Sequence, residues 1–334
     1  MLHRIIGASG SGKTKYMFDR LGEALKSGKQ CYVIVPEQQS VSYEAALCEK
    51  FGDSINLLCE VLNFERLPNR VARDFGGLCV NTIDKGGACA LLSLVSESLK
   101  DELTEYSSVA ADSDFATSLY SLISRMKMAL ITPQMIFDAL KKNTLDDDER
   151  IKKKLSDIAL IYSEYEKRFN DELKDPRDAL TRLAEELCNK PFFKDTVVFI
   201  DNYYTFTEQE YAIIKQIIAQ SREVYISFTV DYNRTVFEEN RKASERVLSL
   251  ARNISDDFYT GESRRSRLES LKYIEKNIWE SNVEPNGIDD GAVKLINAKN
   301  RFDEVEAAAS EICTLVRQGY RYKDITVIAS NASN

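Results

Sequence analysis

An α/β fold, a parallel sheet split by a helical insertion, is predicted from three observations. An apolar run at residues 2–6 leads directly into Gly7-Ala-Ser-Gly-Ser-Gly-Lys-Thr14, which fits G-x-x-x-x-G-K-[ST]. A second apolar run, Val197-Val-Phe-Ile, ends in Asp201. Between them, residues 85–187 carry helical periodicity and no strand-like run.

The first run reads as a strand and residues 13–26 as the helix that follows it. In such a loop the glycines let backbone N–H groups turn inward around a phosphate, and the helix points its positive end at the anion. The candidate nucleotide-binding residues are Gly7, Ser9, Gly10, Ser11, Gly12, Lys13 and Thr14. Lys13 supplies charge for terminal phosphates, and Thr14 offers a hydroxyl to Mg²⁺. Cys31-Tyr-Val-Ile-Val-Pro36 is a continuous apolar run ended by proline, as expected of a parallel strand covered on both faces. A helix over 41–51 and a strand over 55–62 continue the alternation.

In the helical stretch, Phe115, Leu119, Leu122 and Met126 make one apolar stripe, and Leu155, Ile158, Tyr162, Tyr165 and Phe169 make another. Thr132-Pro133 reads as an N-cap followed by a first-turn proline. The acidic run 146–149 before Lys152-Lys-Lys154 reads as a solvated helix start. Strands resume at 196–200 and 223–230. Residues 231–291 are polar and harder to read. A last unit is expected to hold a strand at 293–297, a helix at 303–317 and a strand at 324–329, stopping before it could complete a sheet, so the polypeptide reads as truncated. The expected domains are 1–84 with 192–283 (sheet), 85–191 (helical insertion) and 284–334 (a second α/β unit, begun).

Composition bounds the chemistry. With 334 residues, 43% hydrophobic and 29% charged, the chain suits two or three globular domains. No apolar run approaches a bilayer's thickness, so neither signal peptide nor membrane anchor is expected, and the location read from this is cytoplasmic. Seven cysteines without a C-x-x-C pair read as reduced thiols. His3 is the single histidine, which leaves little scope for imidazole catalysis or His-rich metal sites. A net charge of −8 argues against a broadly basic surface but leaves room for a local groove that holds a single strand by a few cations and stacked rings.

Asp201, at the end of its strand, is the carboxylate expected to hold Mg²⁺ opposite Thr14. Its neighbour is Asn202, which can hydrogen-bond a water but cannot take its proton. General-base catalysis contributes about 10²–10⁴-fold, so ATP binding with slow or absent hydrolysis is expected. Glu208 is the nearby glutamate that could substitute as a base.

With these residues in view, the chain resembles the N-terminal part of the AddB family, the B subunits of bacterial ATP-dependent helicase/nucleases. The resemblance is carried by Gly7 to Thr14, Val35-Pro-Glu-Gln-Gln-Ser40, Glu60-Val-Leu-Asn-Phe-Glu-Arg-Leu67, Ile200-Asp-Asn-Tyr-Tyr-Thr-Phe-Thr-Glu-Gln-Glu210, Asn300-Arg-Phe-Asp-Glu-Val-Glu306 and Gly319-Tyr-Arg-Tyr-Lys-Asp-Ile325. It implies a RecA-like, superfamily I helicase-like domain interrupted by a helical domain and followed by the start of a second RecA-like domain. It implies an AddA partner that carries the motor, double-stranded and single-stranded DNA as ligands, Chi recognition, and a role in double-strand-break repair by homologous recombination. The family's nuclease and iron–sulfur cluster would lie beyond Asn334, so none of the seven cysteines is assigned to that cluster. Departures from active motors are Asn202, Tyr204 in place of a glutamine, and Asp231-Tyr-Asn233 without a phosphate-sensing glutamine. They favour scanning over translocation. For DNA the resemblance points to Gln38, Ser40, Phe64 and Arg66, with Tyr204 and Phe206 as a stacking face.

Two other classes stay open from the residues. A P-loop kinase would bring a lid arginine and an acceptor-binding carboxylate near the loop, and no such compact arrangement is apparent. A structural module would keep the loop as a relic.

Overall fold

The structure is a computed structural model that describes residues 1–76, 81–142, 148–170, 173–231, 234–255, 258–261, 265 and 267–329. It divides into two compact units, residues 1–264 and 265–334.

In the first unit β1 (Leu2–Gly7), α1 (Lys13–Lys26), β2 (Cys31–Ile34), α2 (Glu37–Phe51), β3 (Cys59–Leu62) and α3 (Leu67–Phe75) alternate. Next come β4 (Asn81–Thr82), α4 (Lys85–Ser98), α5 (Ser113–Met128), α6 (Pro133–Lys141), α7 (Glu149–Glu166), β5 (Leu173–Lys174) and α8 (Ala179–Leu187). The alternation resumes with β6 (Val197–Ile200), α9 (Glu208–Gln220), β7 (Glu223–Thr229), α10 (Glu238–Ser249) and β8 (Phe258–Tyr259).

Six strands form one sheet in the order β3-β2-β6-β7-β1-β8, every pair parallel. Parallel strands covered on both faces should read as unbroken apolar runs, and β2 and β6 are buried at all four positions each. One face packs Met17, Leu21, Val33, Leu47 and Phe199; the other packs Ile34, Phe64, Leu183, Ile200, Ile214 and Phe228. Because all strands run the same way, the chain leaves Gly7, Ile34, Leu62, Ile200 and Thr229 at one edge of the sheet. Open parallel sheets place ligands at that edge.

The helical insertion has its own core, in which both predicted stripes meet Leu92, Val95, Ile123 and Ile161. Thr132 caps α6, its hydroxyl accepting from the Met135 N–H at 3.3 Å, with Pro133 at the first helical position. Helix α8, which the sequence places within the insertion, packs instead into the sheet's core through Leu183, Ala184 and Leu187. The 55–62 strand is shorter than expected: a 3₁₀ turn at Asp53–Leu57 precedes β3. Strands β4 and β5 pair across the insertion and β8 adds to the sheet beside β1; at two residues each they carry no readable period. Residues 146–147 of the acidic run and 232–233 lie outside the described residues.

The second unit holds α11 (Glu269–Asn277) and α12 (Arg301–Arg317). Among its described residues no strand forms at 293–297 or 324–329. Leu295 and Ile328 are more than nine-tenths exposed, and an apolar run without a ladder partner leaves its backbone groups to water. In the described residues no helix is long and apolar enough to cross a membrane.

Candidate functional site: a phosphate-loop cradle at the sheet edge

The loop between β1 and α1 is shaped by its glycines. Gly12 sits at φ +105° immediately before α1, a left-handed conformation that is strained for residues with a Cβ, and it turns the chain into the helix. Gly7 is needed for a different reason: a Cβ there would come within 1.9 Å of the Thr260 hydroxyl. Thr260 follows β8, donates its N–H to Ile6 O at 2.9 Å, and its hydroxyl makes a very short hydrogen bond with that of buried Ser11. Ser11 also donates to Ala8 O at 2.7 Å. The edge strand thus braces the loop from one side. Lys13 is buried, its ammonium donating to Gly7 O at 3.0 Å and Ala8 O at 2.8 Å. Ser9 is exposed and Gly10, at φ +76°, half-buried.

Asp201 ends the strand two places away from β1 and is 1% exposed. Its Oδ2 accepts from the Thr14 hydroxyl at 2.9 Å and from the Tyr43 hydroxyl at 2.7 Å. Its Oδ1 accepts from Ser227, on the intervening strand β7, and from the Asn202 N–H at 3.0 Å. Thr14 and Asp201 stand 187 positions apart in sequence and meet because α1, in crossing from β1 to β2, passes over β7 and β6. A hydroxyl and a carboxylate side by side at a helix N-terminus are the hard oxygen donors a magnesium-bound polyphosphate needs, and Lys13 and the loop N–H groups supply the positive counterpart. The residues present fit that ligand. Tyr43 and Ser227 carry no motif: each reaches Asp201 only through the strand order.

Glu208, the candidate substitute base, is engaged elsewhere. Both its oxygens accept from Arg246, whose guanidinium also lies 3.9 Å from the Tyr211 ring centroid. The Arg246 hydrogen bonds hold the Glu208 carboxyl below the usual glutamate range, which makes it a poorer base. Asn202 adopts φ +65°, and its side chain is exposed.

The residues proposed for DNA separate into two groups. Gln38, in the first turn of α2, Arg66, at the start of α3, and Tyr204, 69% exposed, are open to solvent. Phe64 and Phe206 are corrected: at 2% and 8% exposure they belong to the core, where Phe64 meets Tyr203 and Phe206 edge-on and Phe206 meets Phe228 the same way. Their rings hold the β6–α9 loop and offer no open face for a base. Ser40 is corrected as well: the residue is 2% exposed, and among the described residues its buried hydroxyl has no hydrogen-bond partner. Apolar rings beside a strand end gain more from burial than from solvent, which the linear pattern does not reveal.

His3 lies at the opposite end of β1, stacked on Tyr225 at 4.3 Å, with burial pulling its imidazole below the ordinary value despite Glu223 nearby. Among the described cysteines, Cys31, Cys48, Cys59, Cys89, Cys188 and Cys313 are free; Cys79 lies outside the described residues.

Comparison with known proteins agrees with the resemblance seen in the sequence. The chain is 29% identical over 350 residues to the B subunit of the ATP-dependent helicase/deoxyribonuclease of Clostridium tetani, covering 98% of this chain and 30% of that protein. The protein of the same name from Staphylococcus saprophyticus is 29% identical over 342 residues, 99% of this chain and 29% of the relative. That of Listeria monocytogenes is 27% identical over 350 residues, again 99% and 29%. The chain therefore spans about three tenths of the length of these curated relatives. The family described as "ADDB, N-terminal" matches residues 4–275, and to that family this chain belongs.

Proposed function

We propose that this chain is the nucleotide-holding, helicase-like portion of an AddB-type protein. In this reading it binds ATP with Mg²⁺, hydrolyses it slowly or not at all, and reads single-stranded DNA for a Chi signal beside an AddA partner in the cytoplasm, during double-strand-break repair by homologous recombination. The observation that carries the reading is the Thr14–Asp201 hydrogen bond, which unites a phosphate loop and a metal-holding carboxylate from opposite sides of the insertion. The names of the relatives, each the B subunit of an ATP-dependent helicase/deoxyribonuclease, support the same assignment. The first unit, residues 1–264, corresponds in this reading to a RecA-like domain with its insertion, and residues 265–334 to the start of a second.

With nucleotide bound, Lys13 would be the residue to supply charge to the terminal phosphates, and Thr14 and Asp201 the residues to hold the metal. Bound Mg²⁺ would neutralise phosphate charge there. Slow turnover is supported by Asn202 in the water-positioning place and by the Arg246 clamp on Glu208. Gln38, Arg66 and Tyr204 form the surface offered to the strand, with Phe64 and Phe206 supporting it from beneath.

Calorimetric titration with ATP and Mg²⁺, followed by steady-state ATPase, tests this. The wild-type chain is expected to bind with little turnover, and Lys13→Ala to lose binding by at least about tenfold, the loss of one charge-assisted hydrogen bond. Fast turnover that disappears in Lys13→Ala would refute the holding role; equal binding by the two chains would favour a relic loop.

A further inference from the structure

We propose that Tyr43 is a positioning residue of this site: its hydroxyl holds the Asp201 carboxylate in the orientation from which it and Thr14 take up a divalent cation. The inference rests on the nucleotide reading above and deepens it, because neither the loop motif nor the strand-plus-aspartate pattern calls for a phenol on the helix after β2.

Tyr43 stands in the middle of α2 and is 6% exposed. Phe18 of α1 meets its ring edge-on, with centroids 5.1 Å apart and planes at 80°, so the ring is fixed from the helix that also carries Thr14. Its hydroxyl donates to Asp201 Oδ2 at 2.7 Å, and the Thr14 hydroxyl donates to that same oxygen at 2.9 Å. The division of labour across the carboxylate follows. Oδ1 is tied into the sheet by Ser227 and the Asn202 N–H, while Oδ2 faces the loop and is held by Thr14 and Tyr43.

In a loaded site the Thr14 hydroxyl would serve the metal through its oxygen as well as Oδ2 through its proton, so its position would be set by both. Tyr43 remains as an anchor with no other duty. Groups that orient a metal ligand without touching the metal commonly account for about 10–100-fold in metal affinity.

The test uses the whole 334-residue chain and ATP itself, titrated in EDTA and at graded Mg²⁺. Tyr43→Phe keeps the ring against Phe18 and removes only the hydroxyl. It is expected to raise the Mg²⁺ concentration at half-maximal enhancement of ATP binding by about 10–100-fold, with ATP affinity in EDTA unchanged. Leu47→Val, which trims packing on the same helix away from the carboxylate, is expected to leave that concentration where it is. A Tyr43→Phe chain with the wild-type Mg²⁺ response, or one that loses affinity equally with and without Mg²⁺, overturns the positioning role while the nucleotide reading stands. Wild-type chain that binds no ATP overturns both.

Discussion

Lys127 shows what a single side chain can be asked to balance. Its side chain is 2% exposed, and its ammonium touches Glu166 at 2.6 Å, Asp175 at 2.8 Å and Asp178 at 2.7 Å. Burial by itself lowers a lysine; here the carboxylates, Asp178 first, outweigh it and hold the ammonium above the ordinary value of 10.5. Replacing it with methionine leaves three acids facing one another without a counter-charge. Lys127→Met is expected to cost roughly 3–5 kcal/mol in urea unfolding, the range for breaking a buried pair from one side. The sign of the pH effect follows from the raised value. This contribution is fully present below pH 10.5 and is lost as pH rises through the folded-state value, so the wild type should weaken in that alkaline window more steeply than Lys127→Met. None of the four residues belongs to a motif. A lysine and three acids on α5, α7 and the turn before α8 become one group only when the insertion folds.

At the scale of elements, long amphipathic helices were legible because a stripe at 3.6-residue spacing has one cause, a core on one side. The stripes in α5 and α7 both face the insertion's core. Short strands were not legible, because two residues cannot display a period. Caps fall between: Thr132-Pro133 announces itself, whereas α9 begins with a reciprocal box in which Thr207 accepts from the Glu210 N–H and Glu210 accepts from the Thr207 N–H at 2.7 Å. Burial raises the Glu210 carboxyl above its usual range, so the box also satisfies a group that is costly to bury. Thr207→Ala is expected to lower stability by about 1 kcal/mol, read as a shift in the denaturation midpoint, with ATP affinity unchanged because the cap's hydrogen bonds stay within α9's own first turn.

For the whole molecule the decisive quantity is charge in context. A net charge of −8 gives no general attraction to nucleic acid, so the proposed single-strand binding would have to come from local groups, exposed Arg66 among them. Arg66→Ala is expected to weaken single-stranded DNA binding and to reduce the slope of log affinity against log salt by about 0.7, the value for one phosphate contact on a single strand. Fluorescence titration across salt measures both. Unchanged affinity and slope would remove this face from the DNA path.

The sequence by itself determined the parallel α/β plan and the helical interruption, and it named Thr14 and Asp201 as candidates for one site, because each is written in contiguous residues whose spacing has one physical meaning: an apolar run, a helical stripe, a glycine turn before a helix. Tertiary structure alone decided that Tyr43 and Ser227 share Asp201, that Arg246 occupies Glu208, and that Phe64 and Phe206 are core while Tyr204 is surface. The order of strands brings together residues far apart in the chain, and burial is settled by what lands on top of a side chain. Neither is a property of any local stretch of sequence.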